Sequence, residues 1–293
     1  MNVSVVSRGT EYPLDDGSLC YLNSIDGIGA AQVRRFAHQG ALQHGSTDKG
    51  FLLNPRTIRI GLAVVAASLE EFYERREELI TLFSPSESLV LRITRDDGAI
   101  RDIDFVFDSD LSMPITADAW TNQTSVVVLK AGNPAFYDPA GEATSFVLGG
   151  GSDLGEVPMA VPMKVGASEI DSSVEIQYSG NWHEFPVIRI VGQITDPVIT
   201  NNTTGEVLDF TGYNIGTSDE IVIDLRYGRK TVVKNGTTNV IDKLTSSSDL
   251  ATFHLEARRS GETYRSNSIA VTGSGVNPAT RIEISYYNRY RGV

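Results

Sequence analysis

Asp102 and Asp104 stand two residues apart in a segment, Ile100 to Phe107, that alternates apolar and polar side chains. Alternation at period two marks a strand, and it puts both carboxylates on one face, about 6–7 Å apart. Two carboxyl groups at that separation are what glycoside hydrolysis uses, one as acid and the other as base or nucleophile. Such work also needs one of the two pKa values raised, and nothing in the neighbouring sequence predicts that. The pair reads equally well as a solvated acidic face, extended by Asp108.

Other residue sets fall short in different ways. His38, His44 and Asp48 are all metal-ligand types, yet they lack the one-turn spacing of helical metal motifs. Gly40, Gly45 and Gly50 make their segment a hairpin or loop. Gly27-Ile28-Gly29-Ala30-Ala31-Gln32 approaches a dinucleotide fingerprint, with Asp48 about 20 residues on, but the third glycine and the following helix-period run are missing. Gly228-Arg229-Lys230-Thr231 resembles the end of a phosphate loop, with Arg229 intervening and the upstream glycine absent; it reads as strand, basic turn, strand. Asn181-Trp182-His183-Glu184 is either a sugar-stacking platform or, the reading favoured here, a core aromatic beside a turn. Cys20 is the single cysteine, set in the apolar run Leu19–Leu22, and reads as a buried, inert thiol. One cysteine leaves no intramolecular disulfide and fits a reducing cytoplasm. No Gly-x-Ser-x-Gly elbow is present. The expectation is no catalytic residue, no cofactor, no metal, and no enzyme.

The elements that position these residues are mostly strands. One helix is legible over 68–83. Ser68 and Glu71 have the capping-box spacing. Leu69, Phe72, Tyr73, Leu79, Ile80 and Phe83 recur at three- and four-residue steps, predicting one buried face, and Ser84-Pro85 ends the run. Arg56–Ala66, Leu89–Thr94, Ile100–Phe107 and Thr121–Lys130 predict strands, the middle two joined by an Asp96-Asp97-Gly98 turn. Asn133-Pro134-Ala135-Phe136-Tyr137-Asp138-Pro139 breaks the pattern, and Gly149-Gly150-Gly151-Ser152 follows, so a domain junction is expected near residue 140. Beyond it nine short strands are expected: Val174–Tyr178, Pro186–Val191, Pro197–Thr200, Val207–Phe210, Glu220–Arg226, Lys230–Lys234, Ala251–Glu256, Ser268–Thr272 and Arg281–Tyr287. Turn-separated strands without a competing helix predict an antiparallel β-sandwich.

Composition excludes several classes. The 293 residues carry a formal charge of −12, and the parts on either side of residue 138 are both acidic, so no basic stripe invites a phosphate backbone. The longest apolar run, Leu62–Ala67, is far below the ~18 residues of a membrane span. The N-terminus has no basic segment followed by an apolar core, so no signal peptide is expected.

The ordered set Gly27-Ile28-Gly29, Val33-Arg34-Arg35, Gln39 to Asp48, Pro55-Arg56-Thr57-Ile58, the helix, and the closing Asn133-Pro134-Ala135-Phe136-Tyr137-Asp138 resembles the siphophage distal tail protein family. Phe185 to Ile190, Thr204-Gly205-Glu206, Ile223 to Gly228 and Ser248 to Phe253 extend the resemblance through the second half. It implies a mainly β chain, with a ring-forming domain over 1–140 and a galectin-like antiparallel β-sandwich over 141–293. It implies a homo-hexameric ring in the virion tail, joining the tail tube protein to the hub protein, with a receptor-binding protein as a further partner. DNA passes through such a ring without specific binding, and an acidic lumen lined by residues such as Asp102, Asp104 and Asp108 would let it slide. The Gln39–Asp48 loop and the strands flanking the helix are the expected contacts between neighbours. The alternative function is a carbohydrate-binding module for host-surface recognition, for which an exposed Trp182 is the requirement.

Overall fold

Ser68 caps the helix as its spacing predicts, its hydroxyl accepting from the Glu71 amide at 3.2 Å. Glu71 turns back and accepts from the Ala67 amide at 2.7 Å. The computed structural model describes residues 1–108, 111–114, 122–148 and 170–293, and all that follows concerns those residues. Thr121, the expected start of one strand, and the Gly149–Ser152 stretch lie outside them. The chain divides into two units: Met1–Pro139 with Tyr290–Val293, and Ala140–Arg289. The last four residues therefore belong to the first unit.

The first unit runs β1 (Asn2–Ser7), β2 (Thr10–Pro13), β3 (Tyr21–Asp26), β4 (Val33–His38), β5 (Thr47–Leu53), β6 (Arg56–Val65), α1 (Leu69–Leu82), β7 (Leu89–Thr94), β8 (Ile100–Phe107), β9 (Asn122–Ala131) and β10 (Phe136–Tyr137). Its main sheet has the order β2-β1-β7-β8-β9-β6-β3. Strand β8 serves two halves of that sheet. Ile100 to Phe105 pair with β7, whereas Val106 and Phe107 pair with Lys130 and Leu129 of β9. The sheet thus turns across β8 and brings both halves to one core. Val3, Val5, Leu91 and Ile103 come from one half, and Ile58, Ile60, Leu62 and Val127 from the other. Removing each from water contributes about 1.5–3 kcal/mol.

The helix packs differently from its sequence pattern. Phe72, Leu79, Leu82 and Phe83 are buried, but Leu69, Tyr73 and Ile80 are 52%, 54% and 55% exposed. Six apolar positions at helical spacing span too wide an arc for the surface that the sheet offers. Phe72, Leu79 and Leu82 occupy one side, and Leu69, Tyr73 and Ile80 form a second stripe about 80–120° away at 100° per residue.

The second unit is an antiparallel sandwich. Its strands are β11 (Glu142–Val147), β12 (Ile170–Tyr178), β13 (Val187–Val191), β14 (Ile194–Asn201), β15 (Glu206–Asp209), β16 (Asn214–Ile215), β17 (Glu220–Asp224), β18 (Thr231–Lys234), β19 (Thr238–Asn239), β20 (Arg265–Ser274) and β21 (Arg281–Tyr286). One sheet is ordered β11-β21-β13-β17-β18-β19 and the other β12-β20-β14-β15, with β16 also on β14. Alternating residues from both meet in one core: Ile188, Ile190, Ile221 and Ile284 against Ile176, Ile199, Leu208 and Val271.

The expected strand Ala251–Glu256 is not formed. Phe253 and Leu255 are buried as their alternation predicts. The backbone bonds elsewhere, however: Thr252 and Phe253 amides donate to the Asp249 carbonyl, and the His254 amide donates to the Glu206 carboxylate at 3.0 Å. A backbone turn takes two of the donors that a ladder would need and side chains of Glu206 and Asn267 take two more, so only Leu255 forms a bridge, with Glu184.

Candidate assembly surface

The residues with possible chemistry are placed apart and mostly engaged. Asp102 is buried, and Arg92 holds it with two bonds, Nε to Oδ1 at 3.0 Å and Nη2 to Oδ2 at 2.8 Å. Both carboxylate oxygens are thus taken up by a bidentate guanidinium clamp. Asp104 accepts from the Tyr137 hydroxyl at 3.0 Å, and Asp108 lies 3.5 Å from Lys130. The three therefore do not form the uncompensated acidic row that a repelling lumen would need. Asp48 is paired with Arg35 at 2.6 Å, and no three ligand side chains converge among the described residues. The Gly27–Gly29 loop has a structural use. A Cβ at Gly27, whose φ is +87°, would sit 2.2 Å from the Thr57 carbonyl oxygen, so the close approach of two backbones requires glycine there. Cys20 is buried, and burial, reinforced by Asp16 and Asp15, pushes its thiol up to about 12.

Arg56, which the sequence marks only through the family resemblance, has a structural role that its neighbours in sequence do not reveal. It is buried, and its guanidinium donates only to backbone carbonyls: Pro134 at 2.7 Å, Gly27 and Gly29 at 2.6 Å each, and Arg291 at 2.7 Å. The Phe136 ring lies 4.8 Å from its central carbon. One side chain thereby pins the glycine loop, the turn after β9 and the returning C-terminal residues. Burial draws its pKa down to about 10, which leaves it charged at neutral pH.

Strands β4 and β5 form an arm. They pair only with each other, and every residue of β4 and nearly every residue of β5 is exposed. Register puts Arg34 opposite Leu52, and Arg35 opposite Phe51. Arg34 lies 5.2 Å from the Phe36 ring centre, and Arg35 lies 6.0 Å from that of Phe51. Since alternate residues face opposite ways, each face carries an arginine with an exposed aromatic or aliphatic partner. A bare two-stranded ribbon is marginal in water, so its apolar residues call for cover. The tip is shaped by Gln43, whose side chain accepts from the Gly40 amide at 2.9 Å and donates to Thr47 Oγ1 at 2.9 Å. This turn holds Leu42 at φ +67°, fully exposed. A left-handed leucine costs roughly 1–2 kcal/mol.

In the second unit, the segment singled out for Trp182 proves to be one side of a polar–aromatic cluster. Trp182 is half-buried and stacks on His183 at 4.4 Å. His183 meets Phe185 at 5.3 Å and His254 at 5.4 Å. Burial, with the charges of His254, Lys230 and Arg289, lowers the His183 pKa to about 4, so it is neutral at pH 7. The ring most open to solvent here is Tyr227, not Trp182. Lys230, expected at a basic turn tip, folds inward: its ammonium lies 3.9 Å from the Phe185 ring centre and has no hydrogen-bond acceptor.

Burial lowers the Lys230 pKa to about 8, against weaker opposing effects from Glu206 and Asp224. The folded state therefore binds this proton less readily than the unfolded chain between about pH 8 and 10.5, and stability rises with pH across that window. Lys230→Met is expected to stabilise the second unit at neutral pH by about 1 kcal/mol, desolvation relieved less cation–π attraction lost. It should also flatten that alkaline rise, and urea titrations at pH 7 and pH 9.5 would detect both effects. A destabilised variant would contradict this account.

Residues 32–128 match the family described as phage tail protein RIFT-related domain. The match covers about a third of the chain. No curated protein matches the chain by sequence. Among solved structures, the SPP1 Dit (gp 19.1) protein, called a paradigm of hub adsorption apparatus in Gram-positive-infecting phages, is similar over 98% of both chains, with TM-score 0.66 and 13% identity. The fold of the described residues is therefore similar to that of the SPP1 Dit protein. Chains of the phage P2 baseplate in its activated conformation, solved with Ca and with Sr, match over 97% of both chains with TM-score 0.49 at 10% and 11% identity.

The matched segment begins at the arm and runs through β6, α1, β7 and β8 into β9. It thus contains the arm, the exposed stripe of α1, Arg56 and the Arg92–Asp102 clamp. It excludes the cluster around Lys230 and the sandwich as a whole.

Proposed function

We propose that this chain is the ring-forming distal tail subunit of a long, non-contractile phage tail or a phage-derived particle. Six copies close around an axis through their first units, joining the tail tube above to the hub below. The sandwich of the second unit is the galectin-like domain that the family resemblance implies, and it is available to a receptor-binding partner. The carrying observation is the arm: a ribbon with exposed apolar residues on both faces, inside the segment that matches the phage tail domain. A ring needs a head-to-tail contact in which one patch meets a different patch on the next copy. A projecting arm is suited to be one half of that contact. Self-association, and no bond-making step, is the mechanism proposed.

The location is tested by labelling. Gold-tagged antibody against the chain is expected to decorate the far end of the tail in electron micrographs of intact particles. Decoration along the tube, or at the capsid end, would reject this reading.

A further inference from the structure

We infer that the arm of one copy lies along the outward stripe of helix α1 on the next copy. This rests on the ring reading above and specifies its contact. The two surfaces are complementary in kind. The arm exposes Arg34, Arg35 and Lys49, offset only by Asp48, together with Phe36 and Leu52. The helix exposes Leu69, Tyr73 and Ile80 flanked by the carboxylates of Glu70 and Glu77, with Glu74 and Glu78 further round the exposed surface.

The helix surface is unfavourable when left alone. Glu70, Glu74 and Glu78 follow at four-residue steps, a like-charge row that destabilises a helix. None of the exposed four forms an ion pair with a described residue, and the last turn holds no basic side chain to answer the negative end of the helix dipole. The arm supplies the missing cations and a matching apolar surface. Dimensions agree as well: 14 helical residues span about 21 Å, and strands of six and seven residues reach about 20 Å. Contact of arm with helix is heterologous, the type that closes a ring. An arm-to-arm contact, by contrast, would pair like charges and give a two-fold dimer.

Charge reversal tests the pairing on the full chain. Arg34→Glu with Lys49→Glu, and separately Glu70→Lys with Glu77→Lys, are each expected to weaken self-association about tenfold or more. All four together should restore it to within about threefold of the original. All these positions are exposed, and circular dichroism would verify that the variants fold. A second measurement needs no variant. Carbodiimide joins a lysine to a carboxylate in contact with it, and in a mixture of isotopically heavy and light protein it is expected to link Lys49 to a glutamate of α1 between copies. Rings that survive either reversal, a quadruple variant no better than the doubles, or Lys49 linked only to residues outside α1 would overturn the arm–helix contact while leaving ring formation intact. An unmodified chain that stays monomeric would instead overturn the ring reading itself.

Discussion

Arg56→Met is expected to cost the first unit about 3–5 kcal/mol. The substitution keeps most of the apolar stem but leaves the carbonyls of Gly27, Gly29, Pro134 and Arg291 without their donor. A buried polar group without a partner costs about 1–3 kcal/mol. Four of them would total more, but removal of the guanidinium also ends its own desolvation cost, the cost that draws its pKa down to about 10. Water reaching the loosened carbonyls offsets part of the remainder. The calorimetric transition of the first unit should fall by on the order of 10 °C or more. Hydrogen exchange should quicken locally at Val293, whose amide donates to the Ile28 carbonyl at 3.1 Å beside the Arg56 site. A loss under about 1 kcal/mol would show that these carbonyls are satisfied without the side chain.

The second large effect is expected at Arg289→Met, in the other unit. Glu184 is buried, and its carboxylate accepts a hydrogen bond from Arg289 Nε. Burial raises the Glu184 pKa, and the charge and hydrogen bond of Arg289 are the main opposing effects. Removing one partner of a buried pair leaves an uncompensated charge and costs about 3–5 kcal/mol. The pH dependence identifies the cause. A carboxyl whose folded pKa is raised binds its proton more tightly when folded, so stability falls as pH rises from the unfolded value through the folded one. Without Arg289 the folded pKa rises further, and the window widens toward neutrality. The deficit of Arg289→Met should thus be small near pH 4.5 and largest at about pH 7.5. Adding Glu184→Gln should recover part of the loss at neutral pH, since an amide carries no charge to strand. Equal deficits at both pH values would mean that lost packing, and not a stranded carboxylate, is responsible.

The two residues with the largest expected effects were poorly legible in the sequence, for a physical reason. Arg56 sits in a branched strand where alternation predicts exposed or buried, but its four acceptors come from residues 27, 29, 134 and 291. Local periodicity carries no information about acceptors that distant. Glu184 and Arg289 are likewise separated by most of the second unit. The patterns that depend on near neighbours were legible: the Ser68 cap, the turn at Asp96–Gly98, the alternation in β7 and β8, and most strands of the sandwich. Where a near-neighbour pattern misled, long-range geometry had intervened. Leu69, Tyr73 and Ile80 have helical spacing, but the sheet beneath α1 covers only the side bearing Phe72, Leu79 and Leu82. Ala251–Glu256 alternates as a strand should, yet Glu206 and Asp249 supply its partners. The Gln39–Asp48 segment was legible as a hairpin loop, but not the exposure of both flanking strands, which depends on what the main sheet leaves unpaired.

The exposed apolar residues of the arm and of α1 share one explanation under the ring reading. Leu42 is held outward in a strained backbone conformation, Phe36 and Leu52 lie on an uncovered ribbon, and Tyr73 and Ile80 lie on an uncovered helix. Each is an expense in an isolated copy and a contact in an assembly. The acidic row on α1 and the basic flank of the arm would then set the order in which copies meet, since complementary charge steers encounters and disfavours wrong ones.

Native mass spectrometry of the full chain, at micromolar concentration and low salt, bears on self-association most directly. The account predicts a dominant species of about 190 kDa, six copies of the 31.8 kDa chain. A single peak at the mass of one copy, unchanged as concentration rises, would contradict it.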